Sequence, residues 1–325
     1  MVASLGGCKL LGLAAHPRVQ FGATGLPVST LCQGTAFRSH QRTGDDPAGQ
    51  KILRHAIDIG VNFFDSAEAY GWGGSETALG NAIKGKRDQV VIATKASPAD
   101  GPNGPKGPFT RERLMAKVEG SLRRLGTDHL DIYLLHDEDG ITSAEEIATS
   151  MDSLVKAGKT RYWGVSNHNP KLVADLIRIS SAGGLAPIAA LEDYYTISGK
   201  DRTVMMDNEM FPLIRQANLG LMAFSPLDGG NLAPGREGKA AGTPLEKVID
   251  ALDDVANALS VSRPQVCVAW SASRPEVTCV LSGAEKPEHV TDNLAGTQLV
   301  LPPEAMATLD TASAAYSKAM ATRSA

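Results

Sequence analysis

Residues 62–71 read NFFDSAEAYG. Two aromatic residues, Phe63 and Phe64, run straight into the carboxylate of Asp65, and Tyr70 follows just before the turn Gly71-Trp72-Gly73-Gly74. From Val61 to the acid the segment is almost continuously apolar, which predicts a short strand buried on both faces. A carboxylate closes that strand, and a phenol lies within reach of it.

Outward from this point the same pattern recurs. STLCQG (29–34), QVVIATK (89–95), LDIYLLHD (130–137), TRYWGVSN (160–167), IAALEDYY (188–195), GLMAFSP (220–226) and VTCVLSG (277–283) read as further strands. Helical patterns alternate with them at 47–60, 75–85 and 110–126, then near 143–157, 170–180, 207–218, 246–260 and 263–272. Pro47 and Gly60 punctuate the first of these, and Leu114, Val118, Leu122 and Leu125 share one face of the third. Eight strand–helix units predict a parallel sheet covered by helices and closed into a (β/α)8 TIM barrel. The rival open, doubly wound sheet would carry Gly-x-Gly-x-x-Gly after its first strand, and the chain has none there. Two extended runs around Ala23-Thr24-Gly25 predict an N-terminal β-hairpin, and 302–321 predicts a C-terminal helix packed under the barrel. The expected organisation is a disordered tail over 1–17 and a single domain over 18–325. The Pro/Gly-rich stretch 97–108 is expected to be mobile and close to the mouth.

The bulk composition narrows the function. The 325 residues are 42% hydrophobic and 21% charged with a formal net charge of −4, so no basic footprint for nucleic acid is present. No run reaches the roughly 18 apolar residues needed to span a bilayer. The four cysteines lack C-x-x-C or metal-finger spacing. They are therefore read as reduced thiols of a cytoplasmic protein, with no metal site.

In a barrel of this kind the chemistry sits at the C-terminal strand ends. Asp65 with Tyr70, Lys95 and His136 end three successive strands. Alone, each has an ordinary reading: a cap, a packing ring, a solvated ammonium, a structural imidazole. Together they form an acid–base device. A phenol ordinarily titrates near pH ~10, and a neighbouring ammonium lowers that value. A carboxylate would hold the ammonium, and an imidazole could orient a carbonyl oxygen.

The segments FFDSAEAYGWGGSETALGNAIKG, VVIATK, SLRRLGTDHLDIYLLHD, YWGVSN and LMAFSPLDGGNL are similar in order and spacing to the aldo-keto reductase family, over about residues 18–295. The resemblance implies a nicotinamide dinucleotide bound without a Rossmann domain and reversible reduction of an aldehyde or ketone. It implies Tyr70 as general acid, Lys95 lowering its pKa, Asp65 paired with Lys95, and His136 orienting the carbonyl. It also implies Ser166 and Asn167 on the nicotinamide amide and Phe224 stacked on the ring. Ser225, Pro226, Leu227 and Gly229 then form a loop whose N–H groups meet the pyrophosphate.

Further along, SGAEKPEHVTDNL (282–294) resembles the adenosine site, with Gly283, Asp292 and Asn293 as contacts and Pro287 opening a helix. Lys286 and His289 there predict NADP(H) over NAD(H), tempered by Glu285, Glu288 and an alanine, Ala284, where relatives often carry serine. At position 192 the family usually places a glutamine on the nicotinamide amide, and this chain has Glu192, a carboxylate that accepts but cannot donate. The expected partner is a small carbonyl compound or alcohol, shaped by loops 35–47 and 97–109 and by Trp72. Two alternatives remain. Relatives of this fold act as potassium-channel β-subunits, and a sugar dehydrogenase holding NAD tightly would look similar. Oligomeric state is not legible.

Overall fold

The structure, a computed structural model, describes residues 16–37, 40 and 42–324. The predicted hairpin is formed by β1 (Arg18–Gln20) and β2 (Pro27–Ser29), paired antiparallel. The eight apolar runs become β3 (Leu31–Gly34), β4 (Phe63–Asp65), β5 (Val91–Ala96), β6 (Leu130–Leu135), β7 (Thr160–Ser166), β8 (Ile188–Tyr194), β9 (Gly220–Phe224) and β10 (Cys279–Ser282). They close as a barrel in the order β10-β3-β4-β5-β6-β7-β8-β9. Each neighbouring pair is parallel. The fold is therefore a (β/α)8 barrel with an N-terminal hairpin and a C-terminal helix.

The covering helices are α1 (Pro47–Asp58), α2 (Gly74–Ala82), α3 (Arg111–Leu125), α4 (Ala144–Lys156), α5 (Pro170–Ala182), α6 (Asp201–Met205), α7 (Phe211–Ala217), α8 (Glu237–Ala240), α9 (Pro244–Leu259), α10 (Arg263–Ala272), α11 (Pro287–Gly296) and α12 (Pro303–Ser324). Their starts follow side-chain chemistry. Asp46, Thr110, Ser143, Asn169, Thr243 and Ser262 each accept a first-turn backbone N–H of α1, α3, α4, α5, α9 and α10, satisfying donors that a helix leaves unpaired.

Two apolar cores result. The larger lies between strands and helices and includes Leu114, Val118, Leu122 and Leu125, as the periodicity predicts. The smaller fills the barrel: Cys32, Phe63, Val91, Ala93, Ile132, Leu134, Ala190, Met222, Cys279 and Leu281, joined from below by Phe21, Leu26 and Val28 of the hairpin segment. The hairpin thus plugs the N-terminal end of the barrel. Phe21 meets Phe63 edge-on at 5.4 Å between ring centroids. Close approach here demands glycine. Gly22 has φ +51°, and a Cβ on it would lie 2.4 Å from the backbone nitrogen of Gly220.

The structure departs from expectation in several places. The helix predicted over 207–218 is two pieces, a π-helical turn over Met206–Met210 and α7, and α6 runs directly into it from the N-terminal side. Pro212 has no N–H to donate inside that run, and the helical register changes just before it. The helix α8 occupies a stretch with no predicted element. The C-terminal helix does not lie under the barrel. It packs chiefly along α9, and Asp310 accepts from Trp270 Nε1 at 2.8 Å and Arg274 Nη2 at 2.6 Å. Of the predicted tail, residues 1–15 lie outside the described residues, whereas His16 makes a 2.6 Å hydrogen bond with Gln298. The loop 97–108, expected to be mobile, is pinned. Arg113 donates to the carbonyls of Pro98 and Gly107, and Lys117 bridges Asp100 and Glu68, 2.8 Å to each. Among the described residues no helix is long and apolar enough to cross a membrane.

Candidate active site

The period-2 alternation of the strands aims Asp65, Lys95 and Glu192 into the barrel one layer above the apolar interior. Lys95, fully buried, makes an ion pair with Asp65. Its Nζ also donates to the carbonyl of Ser66 at 3.0 Å and lies 3.1 Å from Glu192 Oε1. The same nitrogen sits 5.1 Å from the centre of the Tyr70 ring, and Tyr70 meets His136 edge-on at 5.4 Å. All four residues singled out in the sequence are brought together. The turn that carries Tyr70 is held from both sides. Tyr70 N–H donates to Ala67 O, and Ser75 N–H donates to Tyr70 O, each at 3.1 Å. Next to it Trp72 is 41% exposed and adopts φ +48°, a left-handed conformation that is costly for a bulky side chain.

Burial lowers the Lys95 pKa, but Asp65, Glu192 and Tyr70 together raise it well above the usual value, so the ammonium stays charged. Burial lifts the Asp65 carboxyl while Lys95 pulls it down. Burial and the nearby Asp65 push Glu192 well above the carboxylate range. At Tyr70 burial raises the phenol, Lys95 lowers it, and Asp65 and Glu192 raise it again, for a net upward shift. The lowering influence implied for Lys95 is present and outweighed. His136 is pulled down to about 3 by burial and by the Lys95 charge, so it is a neutral imidazole near neutral pH. Such a ring can hydrogen-bond a carbonyl oxygen without taking its proton.

The strand ends on the opposite side carry the other singled-out residues. Asn167 (φ +58°) ties the mouth together: its Nδ2 donates to His136 O at 3.1 Å and Ser166 Oγ at 2.9 Å, and its Oδ1 accepts from Arg202 at 3.0 Å. Phe224 meets Tyr194 edge-on at 5.6 Å. Beyond it Ser225, Asp228, Gly229 and Gly230 all take positive φ; such turns present successive N–H groups on one side. Pro226 O accepts from Thr196 and Leu227 O from the N–H groups of Gly230 and Leu232, which fixes the loop. A Cβ on Gly230 or Gly283 would meet nothing within 4 Å. Lys286 is the N-cap of α11 and provides no side-chain cap. Lys286 and His289 are exposed.

Three of the residues read as cofactor contacts hold partners within the protein that the sequence did not show. Glu192 faces Lys95 across the barrel. Asp292 accepts from Ser262 Oγ at 2.6 Å, supporting the start of α10. The buried Asn293 donates to Ser282 Oγ at 2.7 Å. The sequence reading also missed buried Asp193, which accepts the Asn167 N–H at 3.1 Å, and the hydrogen bond from Tyr194 to Asp228. Period-2 counting could have turned Asp193 outward and Tyr194 inward, but not named their partners. The neighbouring Tyr195 points outward and stacks on Trp270 at 5.2 Å.

A barrel whose strand ends gather a carboxylate, an ammonium, a phenol and a neutral imidazole defines a class of carbonyl-handling oxidoreductases. The Aldo/keto reductase family profile matches residues 30–314, and the chain belongs to that family. It is 31% identical to "Uncharacterized oxidoreductase YrpG" of Bacillus subtilis (strain 168), over 89% of this chain and 93% of that protein. It is 30% identical to "Methylglyoxal reductase YeaE" of Escherichia coli (strain K12), over 90% and 94%. It is 29% identical to "Probable voltage-gated potassium channel subunit beta" of Oryza sativa subsp. japonica, over 84% and 88%.

Proposed function

We propose that this protein is an NADP(H)-dependent reductase of small aldehydes or ketones, working in reverse on the corresponding alcohols, with Tyr70 as the general acid and base. The convergence of Tyr70 on Lys95, Asp65 and His136 carries this reading.

The residues present suit a dinucleotide. The uncapped N-terminus of α11 offers backbone N–H groups to a phosphate, and the loop over Ser225–Gly230, left-handed at four positions, is held in shape by the Asp228 and Gly230 N–H groups bonded within it. A side chain on Gly283 would enter open space, which glycine leaves free. Ser166 and Asn167 would hold the amide end, Phe224 would lie against the ring, and Lys286 with His289 would meet a 2′-phosphate. When bound, the group supplies a hydride to the carbonyl carbon. The chain's own residues handle the oxygen. His136, neutral, donates a hydrogen bond to it and fixes its orientation. Tyr70 gives its hydroxyl proton to the alkoxide that forms, and the Lys95 charge stabilises the phenolate left behind. Asp65 keeps Lys95 charged and in place.

The relative that reduces methylglyoxal directs the first substrate scan to 2-oxoaldehydes, followed by other aldehydes, quinones and sugars, with loss of NADPH absorbance as the readout. Turnover with freely exchangeable NADPH supports the reading, and its absence with every carbonyl would overturn it. The rice relative supports a second reading, a cofactor-binding subunit of a channel, which predicts bound cofactor without multiple turnovers.

A further inference from the structure

Glu192 is the residue in the barrel whose chemistry the four-residue device leaves unused. It stands on β8, three strands from Lys95 on β5, yet Oε1 reaches to 3.1 Å from Lys95 Nζ across the lumen. With Asp65, the Ser66 carbonyl and Glu192 around it, the ammonium has an acceptor for each of its three N–H groups. Glu192 Oε2 is buried and has no partner, and the Asp65 and Glu192 carboxyls face each other closely enough to hydrogen-bond. Two carboxylates cannot hydrogen-bond without a proton between them. Two ionised carboxylates beside one ammonium would also leave a net negative charge walled off from water, a costly arrangement.

We propose that Glu192 is a positioning residue for the Tyr70 proton: with Asp65 it forms a two-carboxyl pair sharing one proton, which engages the Lys95 ammonium and keeps the Tyr70 phenol protonated into the alkaline range. The inference rests on the reading of Tyr70 as proton donor and deepens it. Near neutrality the cluster holds one carboxylate, one carboxylic acid and one ammonium, and is electrically balanced. As pH rises the pair gives its proton to water, the cluster becomes negative, and a second negative charge on Tyr70 is opposed. The upward displacement of both Glu192 and Tyr70 is in the sense this requires. The other titratable groups facing the cluster are Cys32 on β3, a thiol raised by burial and by its contact with Cys279, and the neutral His136 directly after β6. Neither supplies a positive charge that would cancel the effect. The site is thereby set for giving a proton in reduction, and alcohol oxidation, which needs the phenolate, is deferred to higher pH.

The test replaces the carboxyl by its amide, Glu192→Gln, with Glu192→Met as a second carboxyl-free variant of similar size. Tyr70 ionisation is followed by the ultraviolet phenolate band, as the difference between each background and the same background carrying Tyr70→Phe. In the variants Tyr70 is expected to titrate about one pH unit or more below its position in the Glu192 protein. The rise of alcohol oxidation with pH, and the fall of carbonyl reduction, move down by the same interval. An unchanged or higher Tyr70 midpoint in folded Glu192→Gln and Glu192→Met overturns the proposal. The titration needs no turnover. Loss of the general-acid reading, seen as full activity in Tyr70→Phe, is therefore distinguishable from failure of the Glu192 inference.

Discussion

The lower and upper halves of the barrel are built from the same strands and do opposite things. Below, inward positions carry Cys32, Phe63, Val91, Ile132, Leu134 and Met222, sealed by Phe21 and Leu26. Above, two residues further along β4 and four further along β5, the inward positions carry Asp65 and Lys95, and Glu192 follows Ala190 on β8. The lower half gains stability from apolar area removed from water, at about 25 cal/mol per Å². The upper half places three ionisable groups where water is excluded, which costs stability unless each is paired. The stable floor lets the same eight strands hold a charged cluster rigidly, and rigidity is what a proton-transfer site needs. The comparison teaches that stability and reactivity are separated here by one layer of side chains.

The largest expected effect lies in the upper half. Tyr70→Phe keeps the ring and removes the transferable proton, and carbonyl reduction should fall 10²–10⁴-fold, the usual worth of a general acid. Cofactor binding, by fluorescence titration, and thermal midpoint should barely move. Retention of more than about a tenth of the turnover would break the assignment of chemistry to this layer.

The lower half should respond in the opposite sense. Phe21→Ala opens a cavity over Phe63 and Gly220 and should cost about 3–5 kcal/mol in denaturant unfolding. Turnover per folded molecule should stay close to that of the parent. A comparable loss of turnover in still-folded protein would mean that the two halves are not separable.

Asp193 sharpens the comparison at the rim. Burial raises its carboxyl to about 7, against about 3.9 in an unfolded chain. Below pH ~4 it is protonated in both states and costs nothing. Between pH ~4 and ~7 the unfolded chain releases a proton that the folded chain keeps, so folding loses stability as pH rises through that window. Above the folded value the full cost, on the order of 4 kcal/mol, is present. Asp193→Asn keeps an acceptor for the Asn167 N–H and should remove this cost. The gain in stability over the parent, from urea curves, should grow from pH 4 to pH 7 (roughly the interval between the two pKa values) and then level off. A gain independent of pH would place the ionisation elsewhere.

The smallest effect is expected outside the barrel wall. Lys286→Ala should weaken NADPH binding by about 1 kcal/mol, the scale of one exposed charge-assisted contact, and leave NADH almost untouched. Tighter binding of NADH than of NADPH by the parent protein would reverse the cofactor assignment.

The sequence by itself determined the architecture and the four residues at its centre. Near-continuous apolar strands and 3.6-period helices are local signals, and eight alternations leave little but a closed parallel barrel. Asp65, Lys95 and His136 were legible because each follows directly from a strand end, and Tyr70 because its turn does. Only the tertiary structure decided who meets whom across the lumen. Glu192 finds Lys95 three strands away through the stagger of the closed barrel, which no spacing along one strand reveals. The same holds for Asp292 and Asn293, whose partners Ser262 and Ser282 come from other elements, and for α12, which lies along α9. Loop 97–108 looks mobile by its glycines and prolines and is pinned by Arg113 and Lys117 of the following helix. Periodicity tells which way a side chain points, because it depends on neighbours in the chain. Its partner depends on neighbours in space, and these exist only once the barrel has closed.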